Sequence, residues 1–306
     1  MNSGKNKLMR KIVIMPTFAE AEMIKCQIPN LVDTLDPDII IYNEGVFPMG
    51  PENGSIINDE FKAAFCSPDG VTGFDFDRTV EVITDAQEQY PDVEFKLGVI
   101  DYPKGMKAED AYTFAVSNFK DHDIEIQEGD IIFPSEADVF HLESDRNYID
   151  TLVTGLKIDE GISSNWWDFG ATQKYVEQRL HPDINTVTRS RRFAVKFGTM
   201  KFYKSVAQSF VTQKYTNTTL VDLRTYHYPW FRQNKYLELR CNMLRRQPQY
   251  WENYLRGHWE QIEETKNGTN KESVMIRPTL TGNYRYVKYI DTEHPKAIQE
   301  HPCFIN

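Results

Sequence analysis

Short apolar runs alternating with helical stretches across the first half of the chain predict an α/β protein. Its expected frame is a mostly parallel central sheet flanked by helices. Three observations carry that expectation. Four runs, Lys11–Met15, Asp38–Tyr42, Val93–Ile100 and Ile131–Phe133, have the length and side chains of buried strands. The segments between them read as helices and loops. Two carboxylates one residue apart, Glu136 and Asp138, follow the fourth run, where open sheets of this class bind their ligands. The second half is less regular and predicts a helical or irregular C-terminal portion.

Taken in order, Lys11–Met15 is a strand closed by Pro16, and Thr17 with Glu20 reads as the capping box of a following helix. Asp38–Tyr42 is a second strand, expected to break at Asn43-Glu44-Gly45. Val46–Gly54 is dense in Pro and Gly and predicts a loop. Thr79–Gln89 is expected to be a helix, Val93–Ile100 the third strand, and Ala108–Phe119 a helix leading to the fourth. A helix is expected around Asn147–Leu156, followed by an aromatic loop, Ser164–Gly170. Arg191–Lys204 reads as one or two strands joined at Gly198-Thr199. Leu237–Arg246 and Tyr250–Glu264 read as helices, and the tail with His294-Pro295 and His301-Pro302 as extended or irregular.

With 306 residues, 40% of them hydrophobic, the chain is long enough for one large core with an appendage. The simplest partition is one structural domain with a distinct portion from about 211 to 306. No stretch reaches the roughly 18–20 apolar residues that cross a bilayer. The polar start, Met1–Lys7, shows no signal peptide. Four scattered cysteines without a C-x-x-C pair favour reduced thiols and a cytoplasmic setting over disulfides or zinc.

The net charge of −10 is unevenly spread. Val187–Gly257 holds 14 Lys and Arg against 3 Asp and Glu, a local balance of +11, so the rest carries −21. Fourteen aromatics share that window. Basic residues interleaved with aromatics fit a polyanion-binding face, nucleic acid included. The plainer alternative is that the charges decorate helices and a sheet edge while the aromatics fill the core.

Closely spaced carboxylates after a strand suit Mg²⁺ or Mn²⁺, which take hard oxygen ligands and share their shells with substrate phosphates. The plainer alternative is an acidic, solvated turn. Three segments together resemble glycosyltransferases of family 2 with the GT-A fold. Ile14-Met15-Pro16-Thr17-Phe18-Ala19-Glu20-Ala21 resembles the opening strand and turn, with Ala19 where that family usually has Asn. Gly129–Phe133 followed by Glu136-Ala137-Asp138 resembles the strand leading to the D-x-D motif, with Glu136 in place of the first Asp. Thr225–Trp230 resembles the late aromatic segment whose His completes a metal shell.

The resemblance covers roughly Lys11–Tyr236. It implies a nucleotide-sugar-binding core over 1–210 and a portion over 211–306 that completes the acceptor side. It implies transfer of a hexosyl or pentosyl group from a nucleoside diphosphate sugar, a UDP-sugar foremost. Asp138 and His227 would hold the metal. Glu136 would serve the ribose or a metal-bound water, and Pro16, Thr17, Glu20, Tyr42, Asn43 and Glu44 would line the base and ribose. Asp168, between Trp167 and Phe169, is the candidate catalytic base.

For the acceptor, the basic window points to a hydroxymethylated pyrimidine in duplex DNA, with Arg189, Arg191, Arg192, Lys196 and Lys201 on phosphates. The target base would be flipped towards Trp166 and Trp167. Such a protein would resemble virus-encoded enzymes that modify their genomes in a host cytoplasm. Ile39–Pro48 also has a loose resemblance to phage proteins. The alternative acceptors are a lipid-linked sugar, a polysaccharide or a protein. Two readings of other classes stand beside these, a sugar-1-phosphate nucleotidyltransferase and a non-enzymatic binding module. The former usually has a Gly-rich, Arg/Lys-containing loop after its first strand, where this chain has Phe18-Ala19-Glu20-Ala21.

Overall fold

In the computed structural model the described residues are 9–17, 20–46, 79–101, 126–170, 172–178, 189–198, 202–203, 211–212, 217–231, 259–268, 275–278 and 284–305. Strand β1 (Lys11–Thr17) sits in the interior of the sheet, where Ile12, Val13, Ile14 and Met15 are wholly buried. Alternate side chains of a strand face opposite sides. Val13 and Met15 accordingly join one apolar cluster, while Ile12 and Ile14 join a second with Ile39, Ile41, Ile132 and Val195.

Helix α1 (Ala21–Leu35) covers the first cluster with Met23, Ile24, Ile28, Leu31 and Leu35. Its N-terminus differs from the capping box expected. Thr17 is the last residue of β1, and Glu20 is the N-cap but gives no side-chain cap hydrogen bond. Asp36 ends α1 in the left-handed region, with φ of 50°.

Strand β2 (Ile39–Val46) pairs in parallel with β1 and with β3 (Glu94–Asp101). It runs straight through Asn43-Glu44-Gly45, because those residues keep register with Pro16 and Thr17 on one side and with Gly98–Ile100 on the other. Helix α2 (Thr79–Gln89) precedes β3. A turn at Gly129, whose φ of 95° favours glycine, leads into β4 (Ile131–Pro134), parallel to β1. Further on lie β5 (Val139–Phe140), α3 (Arg146–Thr154) and β6 (Glu160–Asp168). The expected aromatic loop at Ser164–Gly170 is therefore mostly strand, with alternating burial along β6.

Strands β8 (Arg189–Lys196) and β11 (Asn217–His227) complete an eight-stranded sheet of order β3-β2-β1-β4-β8-β6-β11-β5. Six of its strands run in one direction, with β8 and β5 opposed to their neighbours. This is the mostly parallel α/β architecture expected. The C-terminal portion is less separate than a boundary near 210 suggests, since β11 belongs to the central sheet. Small sheets hold β7 (Tyr175–Gln178) with β12 (Met275–Pro278) and β13 (Tyr284–Tyr289), and β9 (Phe202–Tyr203) with β10 (Val211–Thr212). A helix covers 259–266. The tail carries a short 3₁₀ turn, Ala297–Glu300, and buries His294, Ile298 and His301. The helices expected at Ala108–Phe119 and Leu237–Arg246, and nearly all of the Val46–Gly54 loop, lie outside the described residues.

Candidate metal centre

The strand directions bring the chemistry to one edge. β1, β2, β4, β6 and β11 all end there, and antiparallel β8 begins there. Residues 135–138 leave the end of β4 and lead into β5, which pairs with β11 beyond it: Val139 is opposite His227 and Phe140 opposite Tyr226. The Tyr228 amide donates to the Asp138 carbonyl at 2.8 Å, fixing the loop against the end of β11. On the parallel β6–β11 pair, Asp168 stands in register with His227 and Trp166 with Thr225, facing the same side of the sheet.

Glu136, Asp138 and His227 each offer one ligand atom, and those atoms lie within 4.8 Å of one another, the one such group among the described residues. His227 Nδ1 donates to Asp168 Oδ1 at 2.6 Å, because a carboxylate can only accept. Its Nε2 then faces Asp138 Oδ1 at 3.3 Å and Glu136 Oε2 at 3.5 Å, and makes no well-aligned hydrogen bond although it is buried. A bare lone pair aimed at two carboxylates would be repulsive. Only a proton or a cation resolves the arrangement, and the donor set of two carboxylates and an imidazole fits Mn²⁺ or Mg²⁺.

With no cation bound, the electrostatics favour the proton. Burial works against protonation of His227, but the Asp138 charge and the contacts with Asp138, Asp168 and Glu136 outweigh it and raise the imidazole well above its usual range. Burial also opposes ionisation of Glu136, yet the Arg191 charge and His227 hold its carboxyl below the ordinary value.

The expected site residues differ in their surroundings. Asp168, the candidate base, is 3% exposed and engaged with His227. Tyr42 is buried in the core and stacked on Phe95 at 6.4 Å, so it cannot reach a base or ribose; burial pushes its phenol far up. Arg191, expected on DNA phosphates, is buried, donates from Nη1 to Glu136 Oε1 at 2.7 Å and lies 3.8 Å over the Trp166 ring. Lys196 donates to the Leu156 carbonyl at 3.0 Å. Arg192 is half-buried beside Phe193. Thr17 is buried at the end of β1, in register with Glu44, and Pro16 with Asn43. Glu20 is half-buried, and its amide donates to Thr79 Oγ1 at 3.2 Å. Arg189 begins β8 in register with Trp166. Lys201 lies outside the described residues.

The support of the 135–141 segment is legible only in the structure. Gln27 Nε2 donates to the carbonyls of Glu136 (2.5 Å) and Val139 (3.1 Å), and Asn30 exchanges hydrogen bonds with the main chain of His141 at 2.7 and 2.9 Å. Both are wholly buried on α1. The signal in the sequence is the spacing of Gln27, Asn30 and Thr34, a polar stripe on the helix face that also carries Ile24, Ile28 and Leu31.

Among known proteins, no family model matches the chain, and no curated sequence does. Similar solved structures include a 4-diphosphocytidyl-2C-methyl-D-erythritol synthase, at 9% identity and a TM-score of 0.33, covering 61% of this chain and 75% of that one. Another is a Bacillus anthracis protein assigned as a glucose-1-phosphate thymidylyltransferase, in complex with sucrose. It shows 11% identity and a TM-score of 0.28, covering 62% and 69%. No helix among the described residues is long and apolar enough to cross a membrane.

Proposed function

We propose that this protein is a metal-dependent glycosyltransferase that moves a sugar from a nucleoside diphosphate sugar to a hydroxyl acceptor. The observation that carries the reading is the Glu136–Asp138–His227 cluster at the carboxyl edge of the sheet, with an orphaned imidazole Nε2 facing two carboxylates. Asp138, His227 and Glu136 would hold the cation, which supplies Lewis-acid neutralisation of the leaving diphosphate. Glu136 is thereby moved from the ribose to the metal. Asp168 is a positioning group: it fixes the His227 ring and keeps the proton on Nδ1. Thr17, Pro16, Asn43 and Glu44, at the adjacent ends of β1 and β2, are the donor-side residues, and Glu20 follows at the start of α1.

For the acceptor we keep the hydroxymethylated pyrimidine in DNA, motivated by the basic window, with Arg189, Arg192 and Lys201 as the phosphate contacts. Arg191 and Lys196 no longer support it, being engaged within the protein. A duplex gel-shift at low salt tests this: a shifted complex that weakens steeply with salt is expected, and no shift at any salt contradicts it. Vesicle flotation then tests a lipid-linked acceptor.

The reaction type is tested by product analysis. Incubation of UDP-, GDP- and dTDP-sugars with a duplex carrying hydroxymethylated pyrimidines in Mn²⁺ should release a nucleoside diphosphate as the sugar passes to the acceptor hydroxyl. Release of pyrophosphate from a nucleoside triphosphate and a sugar phosphate, with no diphosphate release from any sugar donor, would instead identify a nucleotidyltransferase.

A further inference from the structure

We propose that Arg191 sets the metal selectivity of this centre by restricting Glu136 to a single ligating oxygen. The inference rests on the metal reading above. Arg191 reaches the cluster because β8 runs against its neighbours, so the start of that strand lies at the edge where β4, β6 and β11 end. Its guanidinium is fixed on two sides. Nη1 donates to Glu136 Oε1 at 2.7 Å, and the guanidinium carbon stacks 3.8 Å over Trp166, whose ring packs against His227 at 4.9 Å. The Arg191 side chain is only 6% exposed, and Glu136 is 28% exposed.

With Oε1 occupied, Glu136 presents Oε2 to the centre, on the side where Nε2 of His227 lies 3.5 Å away. Because the Arg191 bond takes up a lone pair of Oε1, a carboxylate held in this way favours monodentate ligation through Oε2. Ca²⁺ fills shells of about six to eight oxygens, often with bidentate carboxylates, whereas Mg²⁺ demands a compact octahedron. Mn²⁺ likewise suits octahedral oxygen sites and also accepts imidazole. One oxygen from Glu136, one atom from Asp138 and one imidazole nitrogen make a set suited to the smaller ions. Releasing Oε1 would allow Glu136 to chelate and would favour Ca²⁺.

The test is competition between Ca²⁺ and Mn²⁺, followed by the EPR signal of free Mn²⁺, on wild type, Arg191→Met and Trp166→Leu, with melting temperatures recorded for each. The ratio of Mn²⁺ to Ca²⁺ affinity is the readout, because both ions carry the same charge. Loss of the Arg191 charge, or of folded protein, therefore cancels in it. Arg191→Met should lower the ratio at least about tenfold, the scale on which partners of metal ligands act. Trp166→Leu leaves every ligand and charge in place and should lower it in the same direction, which keeps the test valid where Arg191→Met does not fold. An unchanged ratio in a folded variant overturns the proposal. A wild type that binds neither ion overturns the metal reading itself.

Discussion

His227 is the residue on which the centre turns. It is held by Asp168 through Nδ1 and aimed at Asp138 and Glu136 through Nε2, and its ring lies against Trp166. Replacing Asp168 by Asn removes the negative charge that holds the proton on Nδ1 and puts an amide that can donate as well as accept in its place, while keeping the shape. We expect Mn²⁺ affinity, measured by calorimetry, to fall about 10–100-fold, with the melting temperature changed far less than the affinity. If Asp168 acted as a base and had no part in orienting His227, affinity would be unchanged and only turnover would fall. Asp168 was recognisable in the sequence as a notable carboxylate, but its contact with His227 was not. Its partner lies 59 positions away, and only the parallel register of β6 with β11 joins them.

At the scale of elements, α1 is more than a cover for the sheet. Its apolar residues seal one face, and Gln27 and Asn30 hold the main chain of 135–141 that presents both candidate acidic ligands. Gln27→Leu should therefore weaken Mn²⁺ binding by about tenfold or more. Thr34→Val is the control, since the Thr34 hydroxyl donates only to the Asn30 carbonyl one turn away. It should change stability, read by urea denaturation, and leave metal affinity alone. Equal effects of the two substitutions on affinity would contradict this role for α1. The strand pattern of β1, β2 and β4 was legible because buried parallel strands read as continuous apolar runs, whereas the edge strand β3 mixes Glu94 and Lys96 with Phe95 and Leu97. The strand nature of Ser164–Asp168 was hidden by its mixed polar and aromatic composition: Ser164, Trp166 and Asp168 share its buried face, and Asn165 and Trp167 opposite are half-buried.

For the whole molecule, buried histidines predict how stability responds to acid. Burial pushes His141 down to about 4, with a main-chain contact at Arg224 opposing the shift; its ring lies edge-on to Phe193. The unfolded chain takes up this proton near pH 6.5 and the folded chain does not, so stability is complete above about 6.5 and is lost as pH falls towards 4. The loss is on the order of 3 kcal/mol from this residue. His294, brought down to about 4 mainly by burial and bonded through Nδ1 to Tyr228, acts in the same direction. His227, raised, acts oppositely: its contribution is complete below the unfolded value and disappears as pH rises through the folded one. Urea denaturation at pH 7 and pH 4.5 should show a smaller acid loss in His141→Leu than in wild type. An identical loss would contradict the assignment.

The central claim is that one carboxyl edge of the sheet binds a divalent cation together with a nucleotide sugar. It is tested most directly by thermal shift in Mn²⁺ across UDP-, GDP- and dTDP-sugars. We predict stabilisation by Mn²⁺ with at least one donor, abolished by EDTA and by Asp138→Ala. Wild-type protein indifferent to every nucleotide sugar in the presence of Mn²⁺ would contradict it.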